Sequence, residues 1–396
     1  MNRLPEKSHC TGCAACYAVC VRKAITMSTD SEGFLYPVVD SGLCVKCGMC
    51  AKVCPSLSAD VSRLPLAVYA AKAKNDDLRG QSSSGGVFSL LAKSTIDRGG
   101  LVFGAAFDHD DWHVFHRSAD SETGLAELRG SKYVQSEMGG CFNQVDAALK
   151  SGREVLFSGT PCQIAGLGHY LEMTDAGHKD NLLLVDVACH AVPSPAAWRR
   201  YLEKRVGCAY DGRTGEVGKT RRISSRCKSS GWKDYSMSLC FANGKEYLSA
   251  FGKDPFIRGF LAELYNRPSC HNCPSKELRS GSDMTIADYW GVAGRFPEMD
   301  DDKGTSLVLV NSEKGREAFG AICDKMEYVE SDYAHACETN PVIVRSTDPH
   351  RNRARFFRVL DDNDFDCTVD RMLQSSLTAR LRSFIGRQLR KVMRRK

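Results

Sequence analysis

The stretch CTGCAACYAVC, from Cys10 to Cys20, returns thirty-four residues later as CVKCGMCAKVC, from Cys44 to Cys54. Four thiols at one spacing, C-x-x-C-x-x-C-x-x-x-C, used twice, constrain the segment to fold around something that thiols bind. Nineteen cysteines would mark a disulfide scaffold in a short secreted chain, but this one has 396 residues, an odd cysteine count and CxxC clusters. Metal or redox chemistry in a reducing compartment fits that usage better. Paired structural zinc sites use CxxC knuckles a dozen or more residues apart and have no use for a third cysteine three positions on.

The run resembles the one that holds 4Fe-4S clusters in bacterial ferredoxins, where three close thiolates take three corners of a cubane and the fourth ligates the other cluster. The resemblance implies one cluster on Cys10, Cys13, Cys16 and Cys54 and a second on Cys44, Cys47, Cys50 and Cys20. Pro55 fits the motif, whereas Val21 stands where a proline would follow the first copy. Such clusters carry electrons one at a time. The remaining 340 or so residues must then hold the source or destination of those electrons.

Length alone predicts two or three domains. No stretch approaches 18 uncharged apolar residues, since the longest run, LLLVDVA, is broken by Asp186, and the start MNRLPEKS has no apolar leader core; the chain reads as cytoplasmic. The formal charge of +6 misleads, because residues 371–396 hold nine basic residues and no acid, leaving 45 basic against 48 acidic elsewhere. That balance gives the body no electrostatic footprint for nucleic acid. The basic tail, with Leu377, Leu381, Phe384, Ile385, Leu389 and Val392 on one stripe of a helix expected over 373–395, is of the kind that lies on an anionic membrane surface or packs on protein.

The expected organisation is a cysteine-rich domain over 1–57, the linker SLSADVSRLP, body regions over 66–150 and 151–330, and a C-terminal extension over 331–396. In the body, strand-like AVYAAK, LVFGAAF, EVLF and NLLLVDVA alternate with helical runs, which predicts α/β layers. YSMSLCF and KEYLSAF around the turn ANGK predict a β-hairpin insertion. The fold class expected is therefore α+β and α/β: a small ferredoxin-like domain followed by a larger mixed α/β domain.

Four cysteines of the body stand at strand or loop ends. Cys162 opens a helix in LFSGTPCQIAGL, where a helix N-terminus favours a thiolate. Cys189 follows a strand in VDVACHAVPS, and Cys270 and Cys273 form a CxxC. Together they offer a third 4Fe-4S site, against the alternatives of buried structural thiols or zinc. Cys141, Cys208, Cys227, Cys240, Cys323, Cys337 and Cys367 are isolated and read as structural. QSSSGGVFSLLAK leaves backbone N–H groups before a helix, a cradle for a cofactor phosphate or an ordinary cap, and no GxGxxG follows a strand.

SSSGGVFSLLA, RGSKYVQS, VLFSGTPCQIAGL, CHAVPS and RPSCHNCPSKELRSGSDMTIADYWG together resemble the coenzyme F420 hydrogenase/dehydrogenase beta-subunit family, over roughly residues 66–291. The resemblance implies bound FAD near Ser83, Ser84, Gly85, Gly86, Ser131, Lys132, Tyr133 and Gln163, with the third cluster beside it. Ala191 and Ala287 stand where the family tends to have glycine. It also implies an oxidoreductase that couples hydride chemistry at FAD to single-electron transfer, with coenzyme F420, NAD(P)H or ferredoxin as redox partner and a small-molecule substrate. A setting in surface-polysaccharide biosynthesis and, as the alternative, a non-catalytic electron-relay role within a larger redox complex are the further expectations. Lys132 beside a flavin ring would stabilise its anionic reduced form, though a lone lysine is more often simply solvated.

Overall fold

The computed structural model describes residues 4–108, 113–174, 179–209 and 220–374. The expected basic helix therefore falls almost wholly outside the described residues. No helix among them is long and apolar enough to cross a membrane.

The cysteine-rich segment folds as a two-stranded antiparallel hairpin, β1 (Ile25–Thr29) and β2 (Leu35–Val39), with the short helices Ala15–Ala18 and Met49–Lys52 inside the cysteine runs, carrying Cys16 and Cys50. The sequence repeat is a backbone repeat as well. Gly12 and Ala14 flank Cys13 at φ 71° and 62°, and Lys46 and Gly48 flank Cys47 at φ 59° and 81°. Left-handed residues on both sides of the second cysteine curl each run so that successive thiols turn toward one centre. Two of the four are not glycine, a strain of about 1 kcal/mol each that the curl imposes.

The body is organised by one nine-stranded sheet in the order β14-β3-β13-β12-β8-β7-β4-β5-β6. Its first strands in sequence are β3 (Ala67–Ala73), β4 (Leu101–Phe107), β5 (Val114–Ala119) and the short β6 (Ser136–Glu137). Next come β7 (Val155–Gly159) and β8 (Leu182–Val187), joined by the helix Pro161–Met173. Three strands, β9 (Thr220–Cys227), β10 (Ser236–Phe241) and β11 (Glu246–Ala250), form a separate antiparallel sheet, so the β10–β11 hairpin around 242–245 acquires a third strand. The chain then returns to the large sheet as β12 (Met284–Asp288), β13 (Ser306–Val310) and β14 (Met326–Ser331).

The four central strands β4, β7, β8 and β12 run parallel, and their residues are near-continuously apolar because both faces are covered. β3, from the first body region, lies between β13 and β14 from the second, so regions 66–150 and 151–330 share one sheet.

Within the expected extension 331–396, the helices Arg353–Val359 and Phe365–Leu373 bury Phe356, Leu360, Phe365, Val369 and Met372 in the same core as Trp198, Tyr201 and Phe256. The polar stretch 345–352 precedes both helices and the polar 361–364 separates them, which hid the period. The cysteine-rich segment packs on the body: Cys13, Ala14, Ala15, Val19 and Val53 share a core with Phe142, Ile164, Leu167 and Tyr170. The linker itself is tied down where Asp60 meets His169 at 3.3 Å and Arg63 N–H donates to the Glu277 carbonyl.

Candidate functional site

Cys10, Cys13, Cys16 and Cys54 line one cavity with Thr11, Gly12 and Ala14. Burial raises the Cys13 thiol to about 12, with the thiols of Cys54 and Cys10 adding to it, and Cys16 responds to Cys13, Cys10 and Cys54 in turn. Cys44, Cys47 and Cys50 form the second group: burial raises the Cys50 thiol, and Cys47 and Cys44 raise it further. Cys20 accepts from the Ala24 N–H at 3.3 Å. Cys47 is exposed while Cys10, Cys13 and Cys54 are buried, which makes the second group the outer one.

The body cysteines converge too. Adjacent parallel strands β7 and β8 end side by side, and the carboxyl ends of such strands are where α/β sheets build sites. Cys162 follows β7 in the first turn of the helix Pro161–Met173, and Cys189 follows β8. Cys270 lies in the single turn Pro268–Asn272, and Cys273 follows it. All four line a second cavity of about 410 Å³, together with Thr11, His190, Ser269 and Lys276. Thr11 is common to both cavities.

Among the described residues no group of three or more His, Cys, Asp or Glu is placed to hold a metal ion.

Burial pushes the Cys162 thiol up to about 12, and Cys273 adds to the effect, while the Thr160 hydroxyl and the nearby Arg267 lower it. Among the isolated cysteines, Cys141 is buried as a structural thiol would be, whereas Cys208 and Cys367 are exposed.

The residues of the expected flavin region fall into two sets. Ser83 Oγ accepts from Ser131 N–H at 2.7 Å and Ser131 Oγ at 3.0 Å, joining the SSSGG loop to the RGSKYVQ loop. Ser84 Oγ donates to the Thr305 carbonyl, and Gly85 N–H donates to Ser306 Oγ. Gly85 can carry no side chain, because a Cβ would sit 2.4 Å from the Ala71 carbonyl, and Gly86 caps the helix Val87–Asp97 at φ 92°. Lys132 is partly buried: its amine donates to the carbonyls of Glu127 and Arg129 at the end of the helix Glu122–Leu128, and burial lowers it to about 7. Gln163 is spent on structure, with Oε1 accepting from Thr160 N–H and Nε2 donating to Ser136 Oγ, both at 2.9 Å.

Tyr133 points to residues the sequence did not reveal. Its ring packs on Phe260 at 5.1 Å, and its hydroxyl lies 3.4 Å from Arg226, which pairs with Asp288 at 2.6 Å and stacks on Tyr235. Arg226 Nε and Nη2 are buried with no partner among the described residues, an orphaned donor pair that fits an anionic or carbonyl-bearing ligand. Lys228 stands nearby, donating to the Ser84 carbonyl at 2.8 Å. No motif marks these residues, since RISSRCKSSGWK carries no period or spacing that distinguishes Arg226 from its neighbours.

Comparison with known proteins decides the kinship. Residues 68–142 match the model for the N-terminal part of the coenzyme F420 hydrogenase/dehydrogenase beta subunit, and residues 152–335 match the model for its C terminus. The chain belongs to this family. Residues 9–57 match a 4Fe-4S dicluster domain, so the beta-subunit body carries an iron–sulfur module at its N-terminal side. A coenzyme F420-dependent sulfite reductase of Methanocaldococcus jannaschii is 25% identical over 177 residues, 42% of this chain. The chain spans only 26% of that relative's length. A chain of the F420-reducing [NiFe] hydrogenase complex from Methanosarcina barkeri aligns at a TM-score of 0.47 and 14% identity, covering 71% of this chain and 91% of its own.

Proposed function

We propose that this protein of the beta-subunit type is an oxidoreductase that conducts electrons through three 4Fe-4S centres to a flavin and a small-molecule substrate. The observation that carries the reading is the second cavity. Its four thiols come from three separate chain segments, and it shares Thr11 with the inner dicluster cavity. Two observations support the order outer group, inner group, body group: Cys47 is exposed at the outer end, and the thiol of the buried Cys13 is felt by Cys162.

Bound flavin would supply two-electron hydride chemistry and the cubanes one-electron steps. The chain's own groups position and balance that chemistry. Ser83 and Ser131 hold two loops together, and Arg226 offers unpaired donors beside Tyr133. The Lys132 amine, lowered to about 7, can hold or release a proton near neutral pH. Coenzyme F420 is the first redox partner to try, because the matched sulfite reductase is named for it; NAD(P)H and ferredoxin follow.

Oxygen-free purification with iron, sulfide and flavin assays tests the proposal. About twelve irons per chain, by four-iron arithmetic, with one flavin supports it, and about eight irons or no flavin overturns the corresponding part. A self-sufficient enzyme should consume substrate alone with an artificial donor, whereas a pure relay should reduce dyes and nothing else.

A further inference from the structure

Six lysines and arginines are buried among the described residues: Lys72, Arg79, Arg205, Arg226, Arg267 and Lys276. A buried cation that lacks an anion costs several kcal/mol. Four of the six meet that cost with carboxylates: Lys72 has Glu327 at 3.4 Å, Arg79 has Asp301, Arg205 has Asp366 at 2.8 Å and Arg226 has Asp288 at 2.6 Å. Arg267 and Lys276 have no carboxylate partner among the described residues, and both stand against the cysteine cavities.

Arg267 is wholly buried and spans the two modules. Its Nε donates to the Cys10 carbonyl at 2.7 Å, Nη1 to Gln135 Oε1 at 2.7 Å, and Nη2 to the Leu35 carbonyl at 2.9 Å and toward Cys10 Sγ at 3.9 Å. The guanidinium lies over the rings of Tyr36 and Phe34 at 4.3 and 5.1 Å. On its other side it precedes the turn bearing Cys270, whose N–H donates to the Arg267 carbonyl at 3.0 Å, and its charge is felt by Cys162 and Cys270. Lys276 lines only the second cavity, its amine donating to the carbonyls of Cys189 and Val342 at 2.7 and 2.6 Å.

We propose that Arg267 and Lys276 are the counter-charges of the thiolate-bound clusters, Arg267 shared by the inner dicluster centre and the body centre, Lys276 serving the body centre alone. The part concerning the body centre rests on the proposed third cluster. A cubane held by four thiolates is anionic and gains one further negative charge when it takes an electron from a reductant. A fixed buried cation stabilises that reduced state and raises the reduction potential, an effect strengthened by the low local dielectric. The outer centre on Cys44, Cys47 and Cys50 has neither cation beside it, so the pair makes the potential rise inward and draws electrons from the exposed end toward the body.

The test is a dithionite redox titration of the oxygen-free full-length protein, each centre followed by its electron paramagnetic resonance signal. The signals are assigned with Cys47→Ser and Cys270→Ser proteins. Arg267→Gln should lower the reduced-to-oxidised ratio of the inner and body centres at fixed potential by about tenfold, ~59 mV for a one-electron couple, and leave the outer centre unmoved. Lys276→Gln should lower the body centre alone. Arg267→Lys, which keeps charge but not the fork, should recover most of the shift, something a purely structural latch would not do.

Equal shifts in all three centres, no shift in any, or identical behaviour of the Lys and Gln variants at 267 would overturn the proposal. If Arg267→Gln does not accumulate, an unshifted body centre in Lys276→Gln overturns it on its own. Failure of the third-cluster reading has a different signature: about eight irons and two signals in the unaltered protein, with Lys276's role lost. Arg267→Gln must even then lower the inner centre.

Discussion

Single residues here take unfavourable conformations or protonation states where the cysteine runs and the sheet demand it. Lys46 is exposed and left-handed at φ 59°, beside Cys47, so its side chain contributes nothing to packing while its Cβ is strained. Lys46→Gly should therefore stabilise the iron-loaded protein by about 0.5–1 kcal/mol, seen as a higher midpoint of unfolding with unchanged iron content. A lower midpoint would mean the side chain is used. His116 illustrates the opposite economy of burial. Its Nε2 lies 3.0 Å from the Ser158 carbonyl, its Nδ1 has no partner, and burial, with Lys132 adding, lowers it to about 4 from 6.5. Above pH 6.5 the ring is neutral in both folded and unfolded chains and the linkage vanishes. Between pH 6.5 and about 4 the unfolded chain takes a proton that the folded one refuses, so stability falls as pH drops, by at most about 1.4 kcal/mol per pH unit. His116→Gln should flatten that slope in denaturant titrations between about pH 6.5 and 5, and an unchanged slope would locate the acid sensitivity elsewhere.

At the scale of elements, legibility followed local period. β3, β4, β7 and β8 are visible as apolar runs because they are largely covered on both faces, and the helix Pro161–Met173 announces itself through Pro161 at its first position. β5, with the sequence VFHRSA, and β14, with MEYVES, are not, since a half-exposed strand of mixed composition looks like a loop until its neighbours are known. The dicluster runs are legible from cysteine spacing alone, whereas no spacing links Cys162, Cys189, Cys270 and Cys273, which three separate segments bring to one cavity. Arg226, Arg267 and Lys276 are not legible either, because what distinguishes them is the absence or presence of a distant carboxylate. Resemblance puts Gln163 near a flavin, yet its amide joins the helix start to β6. Gln163→Leu should cost about 1–2 kcal/mol by orphaning Thr160 N–H and Ser136 Oγ, with the loss read by thermal unfolding. Flavin content that falls while stability holds would restore the cofactor role.

Across the whole molecule, what matters is that the iron–sulfur module is seated rather than tethered, because electron transfer between centres weakens steeply with distance. Three kinds of contact seat it. Apolar residues of both cysteine runs enter the body core, Arg267 reaches Cys10 and Leu35, and the β1–β2 turn docks by Glu32. The Glu32 carboxylate takes a forked pair of bonds from Arg353, and its carbonyl accepts from Ser194 Oγ at 2.5 Å. The next residue sets how close the turn can come. Gly33 sits at φ 84°, and a Cβ there would lie 2.4 Å from the Ala196 amide nitrogen, which belongs to a helix that cannot yield. Gly33→Val meets both penalties at once, a left-handed β-branched residue and an overlap with backbone, and should cost the docked state about 2–4 kcal/mol. The module's own two cluster-binding runs lie away from that turn in sequence, so iron content under argon should be nearly kept. What should change is the seating: protease should cut within 56–65 where the unaltered protein resists, and air should bleach the inner centre as fast as the outer one. A variant as resistant to protease and air as the parent would show that the turn contact is dispensable and that the shared core alone holds the module in place.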